Sequence, residues 1–135
     1  MIPSEKKSPP RLPPSLLVAA GGALGTLARH ALDTALPVQA AAFPWTTFLI
    51  NTAGSLILGL VLAISETRPS APAWVRTFLG IGFCGAFTTF STVSLEFVQL
   101  AENSATGMAT LYILASIAAG TAAAAFGSRL GTARP

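Results

Sequence analysis

The sequence predicts an all-α integral membrane protein of four transmembrane helices, the third of them broken. Three observations carry that expectation. The chain is 52% hydrophobic with only 10% charged residues, and its mean hydropathy of +0.64 lies outside the usual range of soluble domains. Apolar stretches near residues 16–36, 46–64, 74–100 and 106–126 each reach the ~20 residues of helix needed to cross a ~30 Å hydrocarbon core. In the third stretch, the run GIGFCGAFTTFSTVS sets Gly80, Gly82 and Gly85 beside the hydroxyls of Thr88, Thr89, Ser91, Thr92 and Ser94. A bilayer core offers backbone groups no water, so a helix broken there lines a cavity or binds something.

Residues 1–14 combine Pro3, Pro9, Pro10, Pro13 and Pro14 with Lys6, Lys7 and Arg11, a composition that favours a disordered basic tail. The helical subunit is expected over 15–128, with a short C-terminal tail over 129–135. The first apolar stretch outruns a secretory h-region and lacks a convincing small-residue cleavage site, so it is expected to be retained as a helix. Within GGALGTLARH, Gly21 and Gly25 form a small-xxx-small pair suited to close helix packing. Arg29 closes this stretch. It snorkels to the interface, pairs with Asp33 four residues on, or stands as a cation at the mouth of an anion pathway.

In the second stretch, TTFLINTAGSLILG, a spacing of four places Thr47, Asn51 and Ser55 on one helix face. An unpartnered polar side chain at the bilayer centre costs a few kcal/mol. Asn51 therefore either bonds a neighbouring helix or serves a pathway. In the third stretch the glycines each weaken the helix by ~1 kcal/mol relative to alanine, and the hydroxyl residues supply hydrogen-bonding groups beside the expected break. Glu96, the one acidic residue deep in an apolar segment, is expected to cap a polar cavity or to pair with a cation from another helix. Cys84 is the single cysteine, which excludes an internal disulfide and fits a packing role. Breaks between helices are expected at Pro37 to Pro44, Thr67 to Pro72 and Glu102 to Ser104, with Trp45 and Trp74 as interfacial anchors.

Enzyme chemistry finds no foothold. No histidine has a nucleophile and an acid arranged around it, no phosphate-cradling loop precedes a lysine and serine, and His30 has no partner at metal-ligand spacing. Neither an enzyme activity nor a nucleic-acid partner is expected. With no nucleotide motif and no ionisable relay, transport is expected to be passive.

GGALGTLARH, then PWTTFLINTAGSLILG, then GFCGAFTTFST together resemble the Fluc/CrcB family of fluoride channels, across all but the tail and loops. The resemblance implies an antiparallel dimer of four-helix subunits with two pores. It also implies a structural sodium ion at the dimer centre, held by the backbone carbonyls of Gly85 and Thr88. Sodium is a hard cation that takes oxygen ligands, and unwound helix frees carbonyls for it. The implied fluoride pathway runs past Asn51, Phe90, Ser91, Thr92, Val93, Tyr112 and Ser116, with Arg29 and Glu96 as charged vestibule groups. Fluoride is strongly hydrated, so its path must replace lost water with donors. Phe90 would meet it with the positive edge of its ring. Two positions depart from the family pattern. The polar track of the fourth helix continues onto Gly120, which has no hydroxyl, and Val93 stands where a second phenylalanine is expected.

Apart from Arg29, every Lys and Arg falls in the N-terminal tail, the second loop or the C-terminus. By the positive-inside rule the chain inserts into the cell inner (plasma) membrane with both termini cytoplasmic. A homodimer of antiparallel subunits needs one sequence to insert both ways. Either the pore tolerates an aliphatic wall at Val93 or the missing ring comes from a different subunit; the dimer is expected to form with a second copy of this chain or, as the charge bias favours, with an oppositely inserted paralogue. Two rivals are a small multidrug transporter, which needs a carboxylate in the first helix that this chain lacks before Asp33, and a non-conducting assembly subunit.

Overall fold

A computed structural model describes residues 12–37 and 42–133. It contains four helices long and apolar enough to cross a membrane: α1 (Pro14–Ala35), α2 (Trp45–Thr67), α3 (Ala73–Glu102) and α4 (Thr106–Thr132). No strand occurs among the described residues. The all-helical membrane architecture is as the hydropathy pattern predicts. The expected disordered tail falls largely on residues 1–11, outside the described residues.

Helix boundaries differ from expectation at both ends. Pro14 is already helical, as suits a residue whose missing N–H has no partner in a first turn. α4 runs on to Thr132, so most of the expected C-terminal tail is helix. Its last turns are tied down by close packing, because Gly127 rests on the Leu56 carbonyl and Gly131 on Leu60 and Ala63. Falling hydropathy marks where the apolar surface ends, not where the backbone stops being helical.

Glycine contacts set the pairing of the helices. On α2 and α4, Ser55 meets Gly120, Gly59 meets Ala124 and Ala63 meets Gly131; contact positions advance together, so these helices run parallel. On α1 and α3, Gly21 meets Phe78 and Gly25 meets Phe83, again in parallel. Sequential helices run antiparallel, which brings both ends of the described chain to one end of the bundle. Arg68, Arg76 and Arg129 lie at that end. Trp45 and Trp74 begin α2 and α3 and are both exposed, at opposite ends.

α3 is composite. Its first part passes through Ala73–Val75, a π-helical stretch Arg76–Cys84 and a final turn Gly85–Phe87. Helix resumes over Phe90–Glu102. Between them Thr88 (φ −77°, ψ 154°) and Thr89 (φ −147°, ψ 125°) are extended. The interruption thus falls on the threonines, whereas Gly80, Gly82 and Gly85 lie within helical turns. Gly82 is used for contact instead: a Cβ there would stand 2.8 Å from the Val18 carbonyl oxygen of α1. The second part packs on α4 through a core of Val93, Leu100, Ala109 and Tyr112. Ser104, with φ of 59°, turns the chain from α3 into α4. Cys84 is buried at 1% exposure.

Candidate functional site

The interruption in α3 is held from two sides. From α2, Asn51 Nδ2 donates to the Thr89 carbonyl at 2.9 Å, and Thr89 N–H donates to Asn51 Oδ1 at 2.8 Å. From within α3, Thr89 caps the second part: its Oγ1 accepts from the Thr92 N–H at 3.2 Å, as threonine does at a helix start. Thr88 turns back, its N–H and its hydroxyl both donating to the Cys84 carbonyl, at 3.0 and 2.9 Å. Every donor of the two extended residues therefore has a partner, which an apolar setting demands. Gly54, one turn beyond Asn51, makes the approach of α2 possible, since a Cβ there would collide with the Thr88 methyl.

Beside this junction is a cavity of about 300 Å³ whose lining includes Asn51, Ser55, Thr88, Phe90, Val93 and Ser116. Phe90 is 82% exposed. Val93 is buried and closes the cavity against the α3–α4 core. Ser116 Oγ is shielded from solvent and has no hydrogen-bond partner, an unmet donor in apolar surroundings. Gly120 also lines the cavity, and a Cβ at this position would stand in ordinary contact with Ser55 Oγ, at 3.5 Å.

One helical turn on along α3 and one turn back along α4 lies a second polar group. Thr47 Oγ1 donates to Glu96 Oε1 at 2.7 Å and Tyr112 OH donates to Glu96 Oε2 at 2.6 Å. Tyr112 is fully buried, with Phe43 edge-on to its ring at 5.4 Å. Both carboxylate oxygens of Glu96 thus have hydroxyl partners, contributed by α2 and α4.

The residues predicted from sequence divide accordingly. Asn51, Phe90, Val93 and Ser116 meet at the cavity, whereas Glu96 and Tyr112 meet next to it. The hydroxyls of Ser91 and Thr92 lie within hydrogen-bond distance of Thr89 Oγ1, at 3.1 and 3.0 Å. Gly85 is exposed at the end of the first part of α3, and Arg29 is half-buried on α1, away from the cavity lining. Sequence reasoning did not identify Thr47 as the partner of Glu96, nor Thr89 as the centre of the junction. The signal for Thr47 was present, because helical spacing already set it on the face of Asn51.

Known proteins resemble this chain over nearly its whole described length. The family described as CrcB-like protein, Camphor Resistance (CrcB), matches residues 16–128. The fluoride-specific ion channel FluC 1 of Mycolicibacterium paratuberculosis is 41% identical over 113 residues, covering 84% of this chain and 86% of that protein. A fluoride-specific ion channel FluC of Thermus thermophilus is 43% identical over 120 residues, 87% of this chain and 94% of that protein. That of Agrobacterium fabrum is 40% identical over 116 residues, 85% and 93% of the two chains. With four helices able to span a bilayer and relatives that are channels, this is a multi-pass membrane protein. The chain belongs to the CrcB family.

Proposed function

We propose that this chain is a subunit of a fluoride-selective channel that lets fluoride leave the cytoplasm passively and so limits its toxicity. The observation that carries the reading is the unpartnered, solvent-shielded hydroxyl of Ser116, a residue that lines the cavity together with Asn51 and Phe90. A desolvated donor with nothing to bind suits a small anion that must exchange water for protein hydrogen bonds. The relatives that bear the name fluoride-specific ion channel supply the identity of that anion.

In this reading fluoride passes Asn51, Phe90, Ser91, Thr92, Val93, Tyr112 and Ser116, with Arg29 and Glu96 in the vestibules. The exposed edge of Phe90 meets the anion. Thr47 and Tyr112 present their hydroxyls where Glu96 holds them, and fluoride competes with the carboxylate for those protons. Phe90→Ile is expected to cut fluoride flux while leaving the fold of the subunit intact, because no neighbour in the chain packs over this ring.

The second element of the reading is an antiparallel dimer with a structural sodium ion at its centre, bound by the carbonyls of Gly85 and Thr88. These residues fit such an ion. The N–H groups four residues on, those of Thr89 and Thr92, donate to Asn51 and to the Thr89 hydroxyl instead, so both carbonyls lack their helical donors. Sodium would supply positive charge to those oxygens and tie the two subunits together. The membrane is the cell inner membrane with both termini cytoplasmic, in line with Arg68, Arg76 and Arg129 at one end. The partner is an oppositely inserted paralogue rather than a second copy of this chain.

Fluoride efflux from liposomes holding this chain alone, against chloride as control, tests the reading. Adding the paralogue is expected to start or greatly raise efflux. Fast efflux from this chain alone would overturn the paralogue element. Absence of efflux under both conditions would overturn the channel.

A further inference from the structure

We propose that Asn51 is a positioning residue that keeps α3 open at Thr89, its side-chain amide standing in for a neighbouring peptide. The last bond of the first part of α3 runs from Thr88 N–H to the Cys84 carbonyl. The next in that series would run from Thr89 N–H to the Gly85 carbonyl and would carry the helix one residue further. Asn51 Oδ1 accepts from that N–H at 2.8 Å instead, and Asn51 Nδ2 donates to the carbonyl of the same residue at 2.9 Å. A planar amide bonded at both ends of one extended residue reproduces what an adjacent strand supplies in a sheet.

Two further features single out this position. Asn51 reaches Thr89 only because Gly54 lets α2 come down onto Thr88, so the side chain and the missing side chain act together. The diversion also leaves the Gly85 carbonyl without its helical donor. Within a membrane an extended residue with unpaired groups costs several kcal/mol, and no other side chain among the described residues bonds to the Thr89 peptide groups. Asn51 keeps one amide N–H beyond the bond to Thr89. Its main commitment is to the protein backbone, and it acts on the pathway through the shape of the junction.

The clamp rests on the fluoride reading only for its effect on flux, and it is tested by backbone spectroscopy of the full chain in lipid nanodiscs. In the wild-type protein the Thr89 amide is expected to exchange with solvent deuterium at least ~10-fold more slowly than an unpaired amide, and Thr88 and Thr89 should give extended-chain carbon shifts. In Asn51→Leu those shifts should move to helical values as Gly85 recaptures the N–H. Asn51→Asp keeps the acceptor oxygen for the Thr89 N–H but loses the donor to the Thr89 carbonyl, so the Thr89 amide should stay protected while the carbonyl shift of Thr89 moves, and its charge lowers fluoride flux. A freely exchanging Thr89 amide in the wild type overturns the clamp, and so does an Asn51→Leu protein whose shifts match wild type. An Asn51→Asp protein whose Thr89 carbonyl shift matches wild type would overturn it too, since the donor to that carbonyl is gone. A wild-type chain that conducts no fluoride with or without its paralogue would count against the channel reading and leave the spectroscopic result to decide the clamp.

Discussion

The first part of α3 meets α1 backbone to backbone: Gly21, Gly25 and Gly82 lie against the carbonyls of Phe78, Phe83 and Val18. The second part, Phe90–Glu102, meets α2 and α4 through side chains, with Val93 and Leu100 in a core and Glu96 bonded to Thr47 and Tyr112. One contact depends on atoms that are absent, the other on particular polar atoms that are present. A membrane supplies little hydrophobic drive between helices, so close backbone approach is a principal source of packing energy. Polar bonding adds specificity where α2, α3 and α4 converge. Glycine content in α3 therefore reports on packing, and hydroxyl content reports on the junction and the site.

Substitutions in the two parts should separate these roles. Gly25→Val puts a side chain where the Phe83 carbonyl already lies and should destabilise by ~3 kcal/mol, the upper end of the overpacking range, read as a lower unfolding midpoint in detergent. A midpoint equal to wild type would mean that α1 is not held by this contact. Tyr112→Phe leaves Glu96 Oε2 without its donor, for an expected loss of ~1–3 kcal/mol together with a large drop in fluoride efflux. Unchanged efflux would remove this group from the pathway.

Ser116→Ala separates stability from activity. It deletes a buried hydroxyl that has no partner, so stability should hold or rise by up to ~1 kcal/mol while efflux falls. A clear loss of stability would mean that the hydroxyl has a protein partner after all. Gly107→Ala gives the smallest effect, within ~0.5 kcal/mol, since nothing lies within 4 Å of the added carbon. A large effect there would show that the open face near the start of α4 is occupied in the assembled protein.

Hydropathy made the four helices legible, because burial in lipid demands a long apolar run whatever the neighbours do. It was local propensity that misplaced one feature inside α3. Three glycines within six residues imply a weak helix when only propensity is weighed, yet each of them stays helical. What opens the helix at Thr88 and Thr89 is a side chain 38 positions earlier, which local reasoning cannot weigh. The polar face of α2 was visible from spacing alone, and Thr47, Asn51 and Ser55 do share the side turned to α3 and the cavity. The pairing of Glu96 was not, because its partners lie 49 and 16 positions away on separate helices.

Cys84 lies beneath the interruption, at 1% exposure, and it is the chain's sole sulfhydryl. A thiol so enclosed reacts slowly with reagents that must reach its sulfur. The native sequence is therefore already a quiet background for covalent probes. A cysteine introduced on an outward position such as Ile81 or Ile117, 60% and 63% exposed, would be modified well ahead of Cys84, so subunit orientation and distances can be mapped without first altering the glycine-rich segment that joins α3 to α1.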